Sequence, residues 1–357
     1  MLDKISGVEL FESEIKGIDI EVISNKFTSF LSFLIESVPI KLQMNDSFKV
    51  GDRVDFLVQI SNRRYFHLLL GCDLVIFMNI WSAFILFFKK SMFKAPIITY
   101  LYEPFTYLPW PFRTILHNFI RTVSKFSKCV TITQAAKTAL FRENRICTTV
   151  LELGTVKLPV ELAKGNYVLT DTRWTKERDP FFLIEVAKLV PEVKFIVCGA
   201  FGSNELLAQF ERSLSLEDLS ERISIQRDIN EPKLNDLYRG ALCYIRWGAS
   251  SKKFSEFSER GPSFGVFQAI SNGCIPVISD DLGSSSMVAE LVSPFLVVSH
   301  DPSKFALIIK KLASDEKLRK ELIDQVLKFR ENSTWRSYAD KLLLLTTKDP
   351  LKPTITR

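Results

Sequence analysis

The sequence predicts an α/β protein built from two doubly wound parallel-sheet domains with a cleft between them. Short runs of β-branched and aromatic residues alternate with stretches whose apolar residues recur at helical spacing, a pattern typical of βαβ units. A length of 357 residues favours two domains over a single hydrophobic core. Hydrophobic residues make up 46% of the chain and charged residues 25%, as expected of a globular protein.

The first half carries the strand and helix pattern of one such domain. Strands are predicted at residues 18–24, 55–61, 73–79, 95–102 and 128–133, with a helix at 111–126. A short extended segment at 151–164, punctuated by glycine and proline, predicts the domain junction. The predicted domains are therefore 1–160 and 161–335, followed by a closing helix and a loose tail at 336–357.

The second half repeats the pattern with shorter connections. Strands are predicted at 167–173, 193–199, 222–228, 241–247 and 275–281. Helices are predicted at 179–190, 205–214, 231–240 and 265–273, and a largely helical stretch runs from residue 301 onward. Asp301 precedes that stretch and is predicted to cap its first helix.

Composition narrows the class of protein. The six cysteines show no CxxC pair and are predicted to be free, buried thiols, and the three histidines are too dispersed to predict a metal site. The longest apolar stretch, residues 74–88, is shorter than the roughly 20 residues that span a bilayer. No signal-peptide pattern opens the sequence, so a cytoplasmic location is expected.

Positive charge is concentrated in one part of the first domain. Residues 76–145 contain ten basic and two acidic residues, a local balance of +8. Together with the aromatic and basic residues of the predicted helix at 111–126, this balance predicts a contact with an anionic membrane surface, peripheral on the cytoplasmic face. An ordinary amphipathic helix packed on the sheet is the alternative. Nucleic acid is a poorer match, since the sequence contains no recognition module for it.

Two arginines after the first strand of the second domain are candidate phosphate ligands. Arg173 and Arg178 lie five residues apart on one predicted loop. Guanidinium groups there suit the charge that develops on a departing diphosphate. A solvated charged loop is the alternative interpretation.

Glycines mark two further loops at the ends of predicted strands. Gly199 begins the segment GAFG. This glycine either forms a structural turn or contacts a ligand, and the sequence is compatible with both interpretations. In ERGPSFG, Gly261, Ser263 and Gly265 permit a close backbone approach where a helix begins, which predicts an amide nest for phosphate or sugar oxygens. A plain tight turn is the alternative interpretation of this loop.

These pieces, in this order, resemble the retaining family 4 glycosyltransferases, also called glycosyl transferases group 1. SERGPSFGVFQAISNGCIPVISDDLG at 258–283 is similar to the family's E-x-F-G-x-x-x-x-E-A segment, and YVLTDTRWTKERDPFFLIEVAKLV at 167–190 resembles its strand, arginine and helix. Similarities extend from about residue 73 to 345 through YLYEPF, CVTITQAAKTAL and LNDLYRGALCYI. The resemblance implies the GT-B fold, with two Rossmann-like domains.

The same resemblance implies a function and a set of site residues. The activity is transfer of a sugar from a nucleoside-diphosphate sugar to a glycan or lipid-linked acceptor, with retention and without a metal or other cofactor. Catalytic roles fall to Glu259, Arg173 and Arg178, and acceptor-side roles to Tyr102 and Glu103. The implied donor-binding residues are Gly199, Gly261, Ser263, Phe264, Gly265 and Gln268.

Arg178 stands where the family usually has lysine, and three further positions depart from the family pattern. Gln268 replaces a glutamate, Arg260 occupies the position of another with Glu259 one step away, and Tyr102 stands where histidine is common. A carboxylate accepts hydrogen bonds from two hydroxyls, whereas an amide both accepts and donates. The sequence therefore leaves a second reading open, a catalytically silent relative that binds a nucleotide or glycan for a partner. A pyridoxal-dependent phosphorylase is a third reading, which the short chain disfavours.

Overall fold

The computed structural model describes residues 75–77, 96–101, 112–156, 158, 165–248 and 263–347. The chain divides into two compact units. The first unit takes in residues up to Thr131, Ala139–Leu151 and the chain from Ala339 onward. The second takes in Ile132–Thr138 and Glu152–Tyr338. The strands predicted at 18–24 and 55–61 and the tail at 348–357 lie outside the described residues.

Among the described residues, the sheet of the first unit is parallel and has four strands in chain order. Its strands are β1 (Val75–Phe77), β2 (Ile97–Tyr100), β3 (Lys128–Thr131) and β4 (Thr149–Val150). The strands predicted at 73–79, 95–102 and 128–133 are thus present in shorter form. Helix α1 (Phe112–Ser124) connects β2 to β3, and helix α2 (Gln134–Asn144) connects β3 to β4.

Helix α1 buries the apolar stripe that its periodicity predicts. The buried side chains recur at one face of the helix, at Leu116, Phe119, Ile120 and Val123. Two of the basic residues in this region make intramolecular hydrogen bonds. Arg121 Nε donates to the carbonyl of Asn144 at 3.0 Å, and Lys128 Nζ donates to the carbonyl of Leu345. Both carbonyls lie near helix C-termini, where a cation is favourable.

The second unit contains a six-stranded parallel sheet. In chain order its strands are β5 (Tyr167–Asp171), β6 (Lys194–Cys198), β7 (Ile223–Gln226), β8 (Cys243–Arg246), β9 (Pro276–Ser279) and β10 (Val297–Val298). Their spatial order is β10-β9-β8-β5-β6-β7. This is the 3-2-1-4-5-6 order of a Rossmann-like doubly wound fold, so the predicted α/β class is confirmed.

Helices connect and flank these strands. They are α3 (Phe182–Leu189), α4 (Asn204–Leu216), α5 (Glu231–Gly240), α6 (Phe264–Ser271), α7 (Ser285–Leu291), α8 (Pro302–Ser314), α9 (Glu316–Asn332) and α10 (Trp335–Thr347). As predicted, Asp301 caps α8, because its Oδ1 accepts from the amide of Ser303 at 2.8 Å. No helix within the described ranges has both the length and the apolar character required to span a bilayer.

Two sequence-based expectations are corrected by the structure. Helix α7 is absent from the predicted elements, because it has only seven residues and begins with serines rather than with an apolar repeat. Packing of Met287 and Val288 into the core forms it instead. The five described cysteines are free, as predicted, but Cys147 is exposed rather than buried, since it lies in the connection just before β4.

A single apolar cluster fills the second unit. Large side chains from the loops after β5 and β8 join it, among them the fully buried Trp174 and Trp247. Burying a large apolar side chain contributes about 1.5–3 kcal/mol. The loops at the carboxyl ends of these strands are therefore part of the core and are held by it.

The turn after β6 brings two loops into close contact. Gly199 has φ +106°, in the left-handed region that glycine adopts without strain. A Cβ at this position would lie well inside van der Waals contact of the carbonyl oxygen of Thr172, which follows β5. The backbone geometry therefore supports the first of the two interpretations, that Gly199 forms a structural turn.

Replacing Gly199 by alanine tests this constraint. We expect Gly199→Ala to lower the free energy of unfolding by at least about 2 kcal/mol, because it adds both a left-handed non-glycine residue and a backbone clash. Urea unfolding measures the change. Gly202→Ala is the matched control, since its Cβ would lie 3.2 Å from the nearest atom, the carbonyl oxygen of Trp174. Equal losses in the two variants would contradict the assignment.

Candidate functional site at the switch point of the second sheet

The strand order of the second unit places a switch point between β5 and β8. These strands pair directly, with Val168 opposite Cys243 and Leu169 opposite Tyr244. The chain leaves β5 toward one edge of the sheet and leaves β8 toward the other. Ligands of open α/β sheets bind beyond the carboxyl ends of the strands at such a point. The residues that follow β5 and β8 are therefore the first candidates for a site.

The loop after β5 is fastened to the turn after β6. Trp174 is fully buried, and its indole Nε1 donates to the carbonyl of Cys198 at 3.0 Å. Its backbone amide donates to Ala200 O at 2.8 Å, and its carbonyl accepts from the amide of Gly202 at 2.7 Å. These bonds fix the backbone directly after Arg173.

A second tryptophan supports the loop from the end of β8. The indole Nε1 of Trp247 lies 3.2 Å from the carbonyl oxygens of both Arg178 and Asp179. Its ring centroid is 5.5 Å from that of Trp174 and 5.0 Å from that of Phe182. Asp179 has φ +36°, so its loop turns in a conformation unusual for a residue with a side chain. Sequence reasoning missed Trp247, whose signal is a tryptophan directly after an apolar strand.

The two arginines predicted as phosphate ligands share this loop but have different environments. Arg178 Nη1 donates to Thr172 Oγ1 at 2.9 Å and to the carbonyl of Arg173 at 3.1 Å, so Arg178 braces its own loop. The side chain of Arg173 is exposed and makes no hydrogen bond or ion pair with the described part of the chain. Arg173 is therefore the better placed of the two to bind an anion from solution.

Helix α6 begins at the same end of the sheet. Ser263 is its N-cap residue by backbone conformation, but its side chain makes no capping hydrogen bond. Its backbone amide donates to Ser284 Oγ at 3.1 Å. Phe264 is 67% exposed, and Gln268 is partly buried one turn further along the helix. First-turn amides at a helix N-terminus are suited to bind an anion.

Gly265 in the first turn of α6 lies directly against the end of β5. A Cβ at Gly265 would be 2.6 Å from Asp171 Oδ1 and closer still to the hydroxyl of Tyr244. The structure therefore brings Gly265 together with the strand that leads into Arg173. The remaining predicted site residues, Tyr102, Glu103, Glu259 and Gly261, lie outside the described residues.

Charged and phenolic side chains that sequence reasoning missed lie beneath the switch point. Asp171 ends β5, and its Oδ1 accepts from the hydroxyl of Tyr238 on α5 at 2.7 Å. The hydroxyl of Tyr244 donates to the backbone carbonyl of Asp171 at 3.3 Å. Arg246, which ends β8, is only 3% exposed. The available signal was a charged residue at the end of each of two otherwise apolar strands.

Burial shifts the pKa of the Asp171 carboxyl. The residue as a whole keeps some exposure, but its carboxyl group is enclosed. This burial raises the pKa of the Asp171 carboxyl, while hydrogen bonds from Tyr238 and Tyr244 and the charge of Arg246 oppose the rise. The carboxyl is thus held by specific partners rather than by water.

A separate polar cluster lies at the ends of β8 and β9. Asp281 Oδ1 accepts from the hydroxyl of Ser279, and its Oδ2 lies 3.1 Å from His300 Nδ1. The same hydroxyl accepts from the backbone amide of Gly248 at 2.9 Å. Burial alone would raise the pKa of Asp281, but hydrogen bonds from His300 and Ser279 outweigh it and the pKa is lowered. Asp281 therefore acts as an ionised loop anchor.

A comparison with protein families supports the resemblance carried by the sequence. Residues 159–329 match the profile of glycosyl transferases group 1. This segment contains every described residue of the candidate site, from Asp171 to His300. A search of curated protein sequences returned no match.

Solved structures resemble the chain over most of its length. HepE from Anabaena, in complex with UDP and glucose, has a TM-score of 0.62 at 12% identity, covering 79% of this chain and 80% of HepE. Sucrose-phosphate synthase from Thermosynechococcus elongatus has a TM-score of 0.61 at 14% identity, with 81% and 77% covered. TarM from S. aureus has a TM-score of 0.58 at 15% identity, with 77% of this chain covered.

This chain spans 55% of the length of the TarM chain that it matches. At these identities the likeness concerns the fold, and the predicted GT-B fold is confirmed.

The lowered pKa of Asp281 predicts how stability depends on pH. A carboxyl whose pKa is lower in the folded state stabilises above its unfolded pKa, about 3.9, and loses that contribution as pH falls through the folded value. We therefore expect Asp281→Asn to be less stable than the wild type at pH 5, and the difference in stability to become smaller toward pH 3. The midpoint of urea unfolding at each pH measures this difference. Asp280→Asn, at an exposed neighbouring position, is the matched control.

Proposed function

We propose that this chain, whose residues 159–329 match glycosyl transferases group 1, is a glycosyltransferase that binds a nucleoside-diphosphate sugar in its second unit. One observation carries the proposal. The exposed guanidinium of Arg173 follows β5 two residues after Asp171, and the first turn of α6 lies against Asp171. A cationic side chain and helix amides thus converge on the switch point, where a diphosphate would be bound.

The chemistry follows from this arrangement. In sugar transfer, the oxygen of an acceptor hydroxyl forms a bond to the anomeric carbon and loses its proton, while the bond from that carbon to the diphosphate oxygen breaks and the diphosphate leaves. Negative charge accumulates on the departing diphosphate. Arg173 and the amides of α6 would stabilise it without a metal ion. Arg178 would contribute by holding the loop, since its Nη1 is bonded to Thr172 and to the carbonyl of Arg173.

Uridine diphosphate sugars are the first donor class to consider. HepE was solved with UDP and glucose, and TarM with UDP and alpha-GlcNAc-glycerol. We extend this donor class to the present chain as part of the proposal. Gln268, partly buried on α6, would receive the ribose through one accepted and one donated hydrogen bond. Glu259 would lie at the sugar, and transfer would retain the anomeric configuration.

The acceptor is proposed to be a glycan or a lipid-linked glycan, contacted through Tyr102 and Glu103 of the first unit. Contact of that unit with an anionic membrane stays a prediction based on its local charge. Of its basic residues, Arg121 and Lys128 bind helix C-terminal carbonyls, as described above. A surface contact would therefore depend on the exposed cations, such as Lys125.

Gln268 also favours a specific alternative, a relative that binds a nucleotide or glycan without transferring sugar. An amide in place of a carboxylate weakens the capacity to accept from two ribose hydroxyls. The two functions differ in one measurement. Gln268→Glu should raise donor turnover in a transferase with a weakened site and should change no turnover in a silent relative.

Donor binding tests the proposal directly. We expect a UDP-sugar to raise the melting temperature of the wild type, with and without EDTA, because a ligand of the folded state stabilises it. Arg173→Ala should weaken the affinity for UDP by about 10–100-fold, the loss expected for charged hydrogen bonds. Isothermal titration calorimetry at about 25 °C measures the affinity of each variant for UDP.

Arg212→Ala is the matched control for this test, since Arg212 is an exposed arginine on α4, after β6. It should bind UDP as the wild type does. Failure of the wild type to bind UDP-, GDP- or ADP-sugars would reject the transferase function. Equal affinity in Arg173→Ala and the wild type would reject the role of Arg173.

A further inference from the structure

A buried polar cluster joins four secondary-structure elements under the proposed donor site. We name it the Asp171 cluster, and its members are Asp171 of β5, Tyr238 of α5, Tyr244 and Arg246 of β8, and Gly265 of α6. The register of β5 and β8 pairs Leu169 with Tyr244, so its continuation brings the strand ends at Asp171 and Arg246 to one level. The cluster thus lies at the switch point itself.

Contacts within the cluster tie the first turn of α6 to the sheet. The hydroxyl of Tyr238 lies 2.7 Å from Asp171 Oδ1 and 3.3 Å from the carbonyl oxygen of Gly265. Gly265 leaves no space for a side chain, because Asp171 Oδ1 and the hydroxyl of Tyr244 occupy the place of its Cβ. The position of α6 along the sheet is therefore determined by polar atoms of β5, α5 and β8.

Apolar packing alone does not explain why a carboxyl and a guanidinium are buried in the Asp171 cluster. Enclosing a carboxyl and a guanidinium removes both from water, and well-packed apolar residues at such positions are often neutral or stabilising by comparison. Hydrogen bonds, unlike apolar contacts, are directional, because they restrict both the distance and the angle between donor and acceptor. The cluster is thus suited to fix the position of helix α6 relative to β5, the strand that leads to Arg173.

We infer that Asp171 is a positioning residue of the proposed donor site, which with Tyr238 sets the spacing between Arg173 and the first-turn amides of α6. A diphosphate bridging both must match that spacing. The inference rests on the proposed function, because it assigns a role in donor binding. A displacement on the order of 1 Å in such a site weakens binding and catalysis strongly.

The test removes one hydroxyl. Tyr238→Phe keeps the ring and deletes the bond to Asp171, and we expect its affinity for UDP to fall by about tenfold or more at 25 °C. Tyr167→Phe is the matched control. The hydroxyl of Tyr167 also links β5 to α5, by donating to the carbonyl of Leu237 at 2.8 Å. Tyr167 is the first residue of β5, however, so this bond lies at the opposite end of the strand from Asp171. This control should bind UDP as the wild type does.

Two substitutions of Asp171 give an independent measurement. Asp171→Ala removes the acceptor and should lose affinity as Tyr238→Phe does. Asp171→Asn keeps an acceptor oxygen for Tyr238 and should bind UDP within about threefold of the wild type, because the hydrogen bond persists. If Tyr238→Phe does not fold, the comparison of these two variants decides the inference.

Hydrogen exchange separates this inference from the proposed function. Amides of residues 263–268 should exchange faster in ligand-free Tyr238→Phe than in Tyr167→Phe, whether or not UDP binds. A wild type that binds none of the UDP-, GDP- and ADP-sugars would reject the proposed function, and the exchange rates would still report whether the cluster holds α6. Unchanged exchange, or wild-type affinity in both Tyr238→Phe and Asp171→Ala, would overturn the inference.

Discussion

The direct pairing of β5 with β8 is the constraint on which the second unit depends. Because these strands are parallel neighbours, the loops that follow them leave from the same edge of the sheet. Residues separated by about seventy positions in the chain are thereby brought into hydrogen-bonding distance, as with Trp247 and Arg178. The candidate site exists because the sheet has this order, and each side chain in it takes its position from one of these strand ends.

The loop after β5 illustrates how a charged segment can be rigid. A solvated charged loop and a phosphate-binding loop were both compatible with its residues. Trp174 and Trp247 anchor it from two strands, and Arg178 bonds to its own backbone. Such a loop has lost much of its conformational freedom before any ligand binds. The backbone that carries the exposed Arg173 is therefore held in a fixed place, and pre-organisation of this kind reduces the entropy lost on binding.

The polar groups beneath the site have a different function from those on its surface. Asp171 and Arg246 are enclosed among tyrosines and α6, where a charge is unfavourable unless its partners are well placed. Asp281 is held similarly by Ser279 and His300 at the next strand end. In each case an aspartate at or just after the C-terminal end of a strand connects neighbouring elements of the unit. These groups make the edge of the sheet a defined surface on which exposed residues can act.

The sequence by itself determined the α/β class, the order of most elements, the free thiols and the loop that carries Arg173 and Arg178. Those features depend on local periodicity and on turn residues, which neighbouring positions in the chain encode. Only the tertiary structure decided that Arg178 braces its loop while Arg173 is exposed, that α7 forms, that Cys147 is exposed, and that Asp171 meets Tyr238 and Gly265. These outcomes depend on which strands are neighbours, and the pairing of β5 with β8 joins segments that no local pattern links.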